Sequence, residues 1–305
     1  MLSYINLGKE GVRLGNQLFQ YAFLRTQAEK LGTEFYCPKW IGDEIFDLCD
    51  QELREYDLIK TKNEIKNFYA EGPGVSFRRK PVLINDNTNI SGSFESEKCF
   101  NKVAVRQWYR FNEEKFSSVR EKYRDIDFSN TIAIHLRLGD KFHDELIKKL
   151  FYVPRKKYYH RALKLISKLN SIAKGGVLNG KKNINRTIVV FSDDIDLAKK
   201  YFAKFDNLIF IEGNTDWEDF YLMSRCHDIV CSASTFSWWA GYLNQNHGKT
   251  VVFPKECLWR PNFFKHEKDL IPETWIKVSA LYPIIDNSMF IRYIVAPIKY
   301  LRKKF

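Results

Sequence analysis

Between residues 131 and 254 the chain alternates short apolar runs rich in β-branched residues with stretches of helical apolar spacing. That alternation constrains the fold more than any other feature of the sequence. The runs TIAIHLR (131–137), TIVVFS (187–192), LIFIEG (208–213), DIVCSAS (228–234) and TVVFP (250–254) read as strands, TIVVFS as a buried one, and 155–169, 196–205, 216–225 and 235–243 read as helices between them. Strands that return through helices must run parallel, so the expected class is α/β with a parallel sheet covered on both faces. Upstream, 4–7 is a short apolar strand, and 18–31 has helical spacing (Leu18 with Ala22, Leu24 with Ala28 and Leu31) that stops at Gly32. No period is legible over 33–110, and 112–123 reads as a helix. The polar, Gly-rich stretch 173–186 is expected to be a surface loop. The chain thus divides into an α/β domain over 1–130, a second over 131–275 and a tail over 276–305.

Four segments could carry chemistry, each at the end of a strand. GVRLGNQLFQ (11–20) sits between a strand and a helix: Gly11 and Gly15 allow close approach of backbone to a ligand, and Asn16 can cap the helix. In HLRLGDK (135–141), strand alternation sends His135 and Arg137 to one face, at the sheet edge where open α/β folds bind ligands. An imidazole beside a planar guanidinium suits a diphosphate. FSDDID (191–196) has two readings: Asp194 and Asp196 as a DxD metal pair, or one aspartate capping the next helix and another facing a ligand. In SASTFSWW (232–239) hydroxyls and helix N-terminal amides make an anion site at Ser234, Thr235 and Phe236, while Trp238 and Trp239 read as core. Any one of these segments would also serve as an ordinary turn, cap or surface ion pair.

Lys and Arg number 49 against 37 Asp and Glu, a net charge of +12, which favours an anionic partner. A nucleic-acid binder is the rival class, but Arg78-Arg79-Lys80, Lys156-Lys157 and Lys303-Lys304 are scattered and no recognised nucleic-acid module accompanies them. The expected partners therefore include no nucleic acid. The six cysteines have no CxxC spacing and fit a reducing compartment, and Cys226 and Cys231 read as small core residues. With no signal-like or membrane-spanning stretch, the expected location is the cytoplasm, where the sequons at Asn89 and Asn185 carry no meaning. The tail differs. Over 288–305, Met289, Phe290, Ile291, Ile294, Val295, Ile298 and Leu301 alternate with Arg292, Lys299, Arg302, Lys303 and Lys304, broken at Pro297. Such a basic amphipathic segment suits the anionic inner face of a membrane, and equally a helix docked on the protein's own core.

In order, LGNQLFQYAF, SFESEKCF (93–100), HLRLGD, Tyr158-Tyr159, FSDD and DWEDFYLMSRCHDIVCSASTFSWWAGYLN (216–244) resemble the α1,2-fucosyltransferase family, and more distantly the core α1,6- and protein O-fucosyltransferases. The likeness runs from Gly11 to Trp259. It implies two facing Rossmann-like domains of the GT-B type, GDP-fucose as donor, a galactoside or other glycan as acceptor, inversion, and no metal or other cofactor. It further implies that Arg137 holds the β-phosphate and that His135 approaches ribose or base. Asp193 or Asp194 would stand near the guanine, and Ser234, Thr235 and Phe236 would cradle the phosphates. Gly15, Asn16 and Gln17 would form the acceptor-facing mouth. Glu145 stands where the α1,6 enzymes have an acidic residue and is the candidate base, with Asp144 beside it. Positioning by Asn16 alone is the other route. Leu138 replaces the second arginine of the family motif, and Cys99 an aromatic residue of the acceptor-side patch.

Overall fold

The computed structural model describes residues 1–71, 83–139, 144, 151–173, 186–256 and 269–280. Two parallel sheets organise it. The first has the order β3-β2-β1-β5-β4, built from β1 (Leu2–Ser3), β2 (Phe35–Tyr36), β3 (Arg54–Glu55), β4 (Asn67–Ala70) and β5 (Thr88–Ser91). The second has the order β11-β10-β9-β6-β7-β8, from β6 (Thr131–Leu136), β7 (Thr187–Ser192), β8 (Leu208–Phe210), β9 (Asp228–Val230), β10 (Val251–Pro254) and β11 (Ile276–Val278). Five of the six strands of the second sheet fall where their apolar runs predict, although β8 is only half-buried and exposes Ile209. Central β6 shares Ile132, Ile134 and Leu136 with one core and Ala133 with the other, the two-sided burial of a parallel strand. β11 extends this sheet past residue 275, into the region expected to begin the tail.

The elements of the first half differ from the expectation. The apolar stretch 4–7 is a turn, closed from the Leu7 amide to the Tyr4 carbonyl at 3.1 Å, and the strand is the shorter β1 before it. The Tyr4 hydroxyl donates to the Gly92 carbonyl at 2.6 Å, so it joins the loops after β1 and β5 instead of extending a strand. Over 112–123 a 3₁₀ turn (Glu113–Phe116) precedes α5 (Ser117–Lys122), because Phe116 turns inward to stack on Tyr221 with ring centroids 4.0 Å apart. The first-half helices are α1 (Leu14–Leu31), α2 (Gly42–Ile45), α3 (Leu58–Glu64) and α4 (Ala104–Trp108). Those of the second half are α6 (Lys156–Ala173), α7 (Ile195–Tyr201), α8 (Asp216–Arg225) and α9 (Thr235–Leu243).

α1 is buried almost throughout because it lies between its own sheet and α9. Phe23 stacks on Phe94 at 3.8 Å, while Phe19 meets Trp238 at 4.6 Å and Trp239 at 4.8 Å. Trp238 and Trp239 are fully buried, as are Cys226 and Cys231. Even Arg25 is interior, donating to the Leu48 carbonyl at 2.7 Å and lying 4.5 Å over the Trp108 ring. One hydrophobic cluster therefore runs unbroken from Leu2 to Trp275 across both sheets. The SFESEKCF stretch helps to join them. Cys99 is buried, Ser96 donates to the Asp269 carbonyl at 2.9 Å, and Lys98 pairs with the Asp269 carboxylate at 2.6 Å. Asn89 is likewise structural, its side-chain oxygen accepting from the Ser3 hydroxyl at 2.9 Å inside the first sheet.

Candidate active site

The carboxyl ends of β6, β7 and β9 open on a pocket closed from the other side by the start of α1. β6 delivers His135, which is 5% exposed, and Arg137 just beyond it. His135 Nδ1 is 2.8 Å from the Ser232 hydroxyl, and its ring centroid is 5.4 Å from that of Phe236. From beneath, Tyr159 donates to the His135 carbonyl at 3.2 Å and Tyr158 to the Cys231 carbonyl at 2.7 Å. The Tyr-Tyr pair on α6 thus fixes the strand ends that carry the site. Leu138 points into the opposite core and is fully buried, as alternation predicts.

The two aspartates after β7 have separate tasks. Asp193 Oδ1 accepts the amides of Leu138 at 2.7 Å and Gly139 at 3.2 Å, and Arg13 lies 3.6 Å from Oδ2. A Cβ at residue 139 would come within 2.6 Å of Asp193 Oδ2, which is why this position is glycine. Asp194 is the N-cap of α7, accepting the Leu197 amide at 2.9 Å. Of the two carboxylates expected near the guanine, Asp193 lines the pocket and Asp194 closes a helix. Asp196 lies exposed in the first turn of α7. Among the described residues no three His, Cys, Asp or Glu side chains cluster in a way that could hold a metal.

At the far wall, Ser234 caps α9, accepting from the Phe236 amide at 3.3 Å. Thr235 donates its hydroxyl to Asn16 Oδ1 at 2.8 Å. Asn16 therefore does not cap α1: the helix begins at Leu14 with Arg13 at the N-cap, and Asn16 in the first turn bonds across to α9 instead. Gly15 lets α1 pass close against the start of α9. A Cβ there would sit 2.6 Å from the Thr235 carbonyl carbon and 2.7 Å from the Phe236 nitrogen. The N-termini of α1 and α9, the positive ends of both helix dipoles, consequently meet at the pocket that Arg137 lines. Gln17 is 8% exposed, donates to the Val12 carbonyl at 2.5 Å and does not line this pocket. Asp144 is exposed, and Glu145 lies outside the described residues.

Two further carboxylates, Asp216 and Asp219 on α8, line the same pocket. Burial raises the Asp219 pKa to about 7 against a hydrogen bond from Asn214, and the nearby Asp216 and Glu218 raise it further. The sequence carried a signal for this pair: spaced by three in DWEDFYLM, they share one helix face with buried Phe220 and Met223 close by.

Residues 110–279, more than half of the chain, match the family model of glycosyl transferase family 11. The chain is 28% identical to an α-1,2-colitosyltransferase of Escherichia coli over 308 aligned residues, covering 87% of this chain and 96% of that protein. It is 29% identical to the O-antigen biosynthesis glycosyltransferase WbnK of E. coli over 154 residues, 49% of this chain and 45% of that one. Among solved structures, the fucosyltransferase NodZ from Bradyrhizobium aligns with a TM-score of 0.46 and 14% identity, covering 78% of this chain and 91% of that one. Most of the pocket at the carboxyl edge of the second sheet comes from segments inside the matched span, the start of α1 completing it, and this chain belongs to glycosyl transferase family 11 and is a glycosyltransferase.

Proposed function

We propose that the protein transfers L-fucose from GDP-fucose to a hydroxyl of a galactoside-containing glycan in α1,2-linkage, with inversion and without a bound metal. The observation that carries this reading is the meeting of two helix N-termini beside Arg137 at the end of β6. As the glycosidic bond to GDP breaks, negative charge grows on the leaving diphosphate. Preorganised amides and a guanidinium stabilise that charge without a metal ion. The acidic end of the pocket, with Asp216 and Asp219, would repel phosphate and suits the N–H and O–H donors of base and ribose. Asp194 Oδ1 accepting the Leu197 amide as a helix cap supports the metal-free reading over the DxD one. The acceptor hydroxyl attacks from the face opposite GDP, oriented by Asn16 or deprotonated by Glu145.

A screen of GDP, UDP and ADP by thermal unfolding, each with EDTA, tests the donor. A ligand at about 100 times its dissociation constant adds about 2.7 kcal/mol, a rise of roughly 4 °C for a chain of this size. GDP is expected to give that rise and UDP and ADP little, with EDTA leaving transfer intact. Transfer abolished by EDTA and restored by Mn²⁺ would restore the DxD reading. A second reading keeps the nucleotide and changes the sugar: the E. coli relative matched over 87% of this chain is named for colitose, and Leu138 departs from the fucosyltransferase motif. Parallel assays with fucosyl and colitosyl donors separate the two.

The basic segment 288–305, outside the described residues, supports a place on the cytoplasmic membrane face beside a lipid-linked acceptor. Among the described residues no helix is long and apolar enough to cross a membrane. Full-length protein is expected to float with anionic liposomes and a version ending at Asp286 to sediment. Equal behaviour of the two would remove the tail as an anchor.

A further inference from the structure

Lys122, the last residue of α5, reaches the loop that precedes α8 and is held there by three oxygens. These are the carbonyls of Glu212 at 2.8 Å and Gly213 at 2.9 Å, and the Asn214 side-chain oxygen at 2.7 Å. An ammonium has three protons to donate, so this cage uses all of them. Gly213 has φ of +70°, a conformation that favours glycine, and a Cβ there would lie 3.3 Å from Lys122 Nζ, so glycine leaves the loop room to close on the ammonium. Tyr123 braces the same loop, donating to the Glu212 carbonyl at 2.9 Å. With its oxygen turned to the ammonium, the Asn214 amide presents its NH₂ in the other direction. There Nδ2 donates to Asp219 Oδ1 at 2.8 Å, and Asp219 lines the donor pocket.

The geometry points to Lys122 and Asn214 as positioning residues for donor binding: Lys122 sets the orientation of the Asn214 amide, and that amide holds the Asp219 carboxylate, ionised, toward the pocket. The assignment rests on the nucleotide-donor reading above. Neither residue lines the pocket; both act through Asp219. A ligand whose N–H or O–H groups donate to Asp219 needs the carboxylate form, so donor binding draws a proton off this group. Asp216 and Glu218 on the same helix oppose its ionisation and Lys122 favours it. Arg13, His135, Arg137 and Asp193 face it from the other walls of the pocket. Removing either relay residue therefore penalises binding most where Asp219 is only partly ionised.

Titrating GDP calorimetrically into wild type, Asn214→Ala and Lys122→Met between about pH 5.5 and 9 tests the relay. Wild-type affinity is expected to rise through a midpoint near about 7, where Asp219 ionises. In both variants the midpoint should move up by at least about half a pH unit. Affinity near neutrality should fall roughly three- to tenfold and converge on wild type at the alkaline end. The ionisations of GDP and of the remaining pocket groups are common to all three proteins and cancel in the comparison. Unfolding temperatures without ligand, taken at the same pH values, identify any loss of folded protein. Unmoved midpoints in both variants, or an affinity loss equal at every pH, overturn the positioning role while leaving the nucleotide reading intact. Failure of wild type to bind GDP at any pH overturns that reading, and the relay with it.

Discussion

Arg137→Ala is expected to lower kcat/KM for transfer by at least about a hundredfold, the scale on which loss of one preorganised donor to a developing anion is felt. The argument is electrostatic. Arg137 emerges from β6 into the pocket that the N-termini of α1 and α9 also face. A guanidinium presents a rigid fork of donors to two phosphate oxygens, whereas a lysine at the end of a flexible stem offers a point charge. Arg137→Lys should therefore recover little of the loss, and Arg137→Ala should fold normally because the residue lies past the end of its strand. Steady-state kinetics beside a circular-dichroism spectrum measure both. Turnover near the wild-type rate in a folded Arg137→Ala protein would end the phosphate assignment.

Gly15→Ala should be nearly as damaging by a different route. The added methyl group would lie 2.6 Å from the Thr235 carbonyl carbon and 2.7 Å from the Phe236 nitrogen, and both are backbone atoms that cannot swing aside. Relief requires α1 and α9 to part, which stretches the Asn16–Thr235 hydrogen bond and widens the site between the two helix ends. Overpacking of this kind costs about 1–3 kcal/mol of stability. The same displacement moves the donors that must converge on one diphosphate, so a loss of at least about tenfold in kcat is expected. Asn16→Ala, which removes the hydrogen bond without adding volume, should cost less on both counts. Wild-type turnover by Gly15→Ala would mean that the two helix ends do not act together.

Membership of glycosyl transferase family 11 gives the enzyme reading a support that the rival basic-protein reading, carried by scattered basic clusters, lacks. The excess positive charge remains available for a nucleoside diphosphate or a membrane surface, which need only local cations.

Five of the six strands of the second sheet were legible in the sequence, because each carries its own local signal, and β11 was not. β6 and β7 are β-branched runs buried on both faces, Ser234 is a hydroxyl placed where a strand becomes a helix, and strand alternation sends Leu138 into the core opposite His135. The first sheet was not legible: β1, β2 and β3 are two-residue strands, too short to display any period, and they exist because their neighbours pair with them. Local pattern also could not choose between Asp193 and Asp194, since the deciding amide at Leu138 comes from a strand 55 residues earlier in the chain. The same holds for Asn16, read as a helix cap but bonded to Thr235 across 219 residues, and for Asp219, whose acidity is set first by burial and then by Asn214, Asp216, Glu218 and Lys122. A residue's periodicity records which face of its own element is buried. What lies against that face depends on how distant elements meet, and only the folded chain decides that.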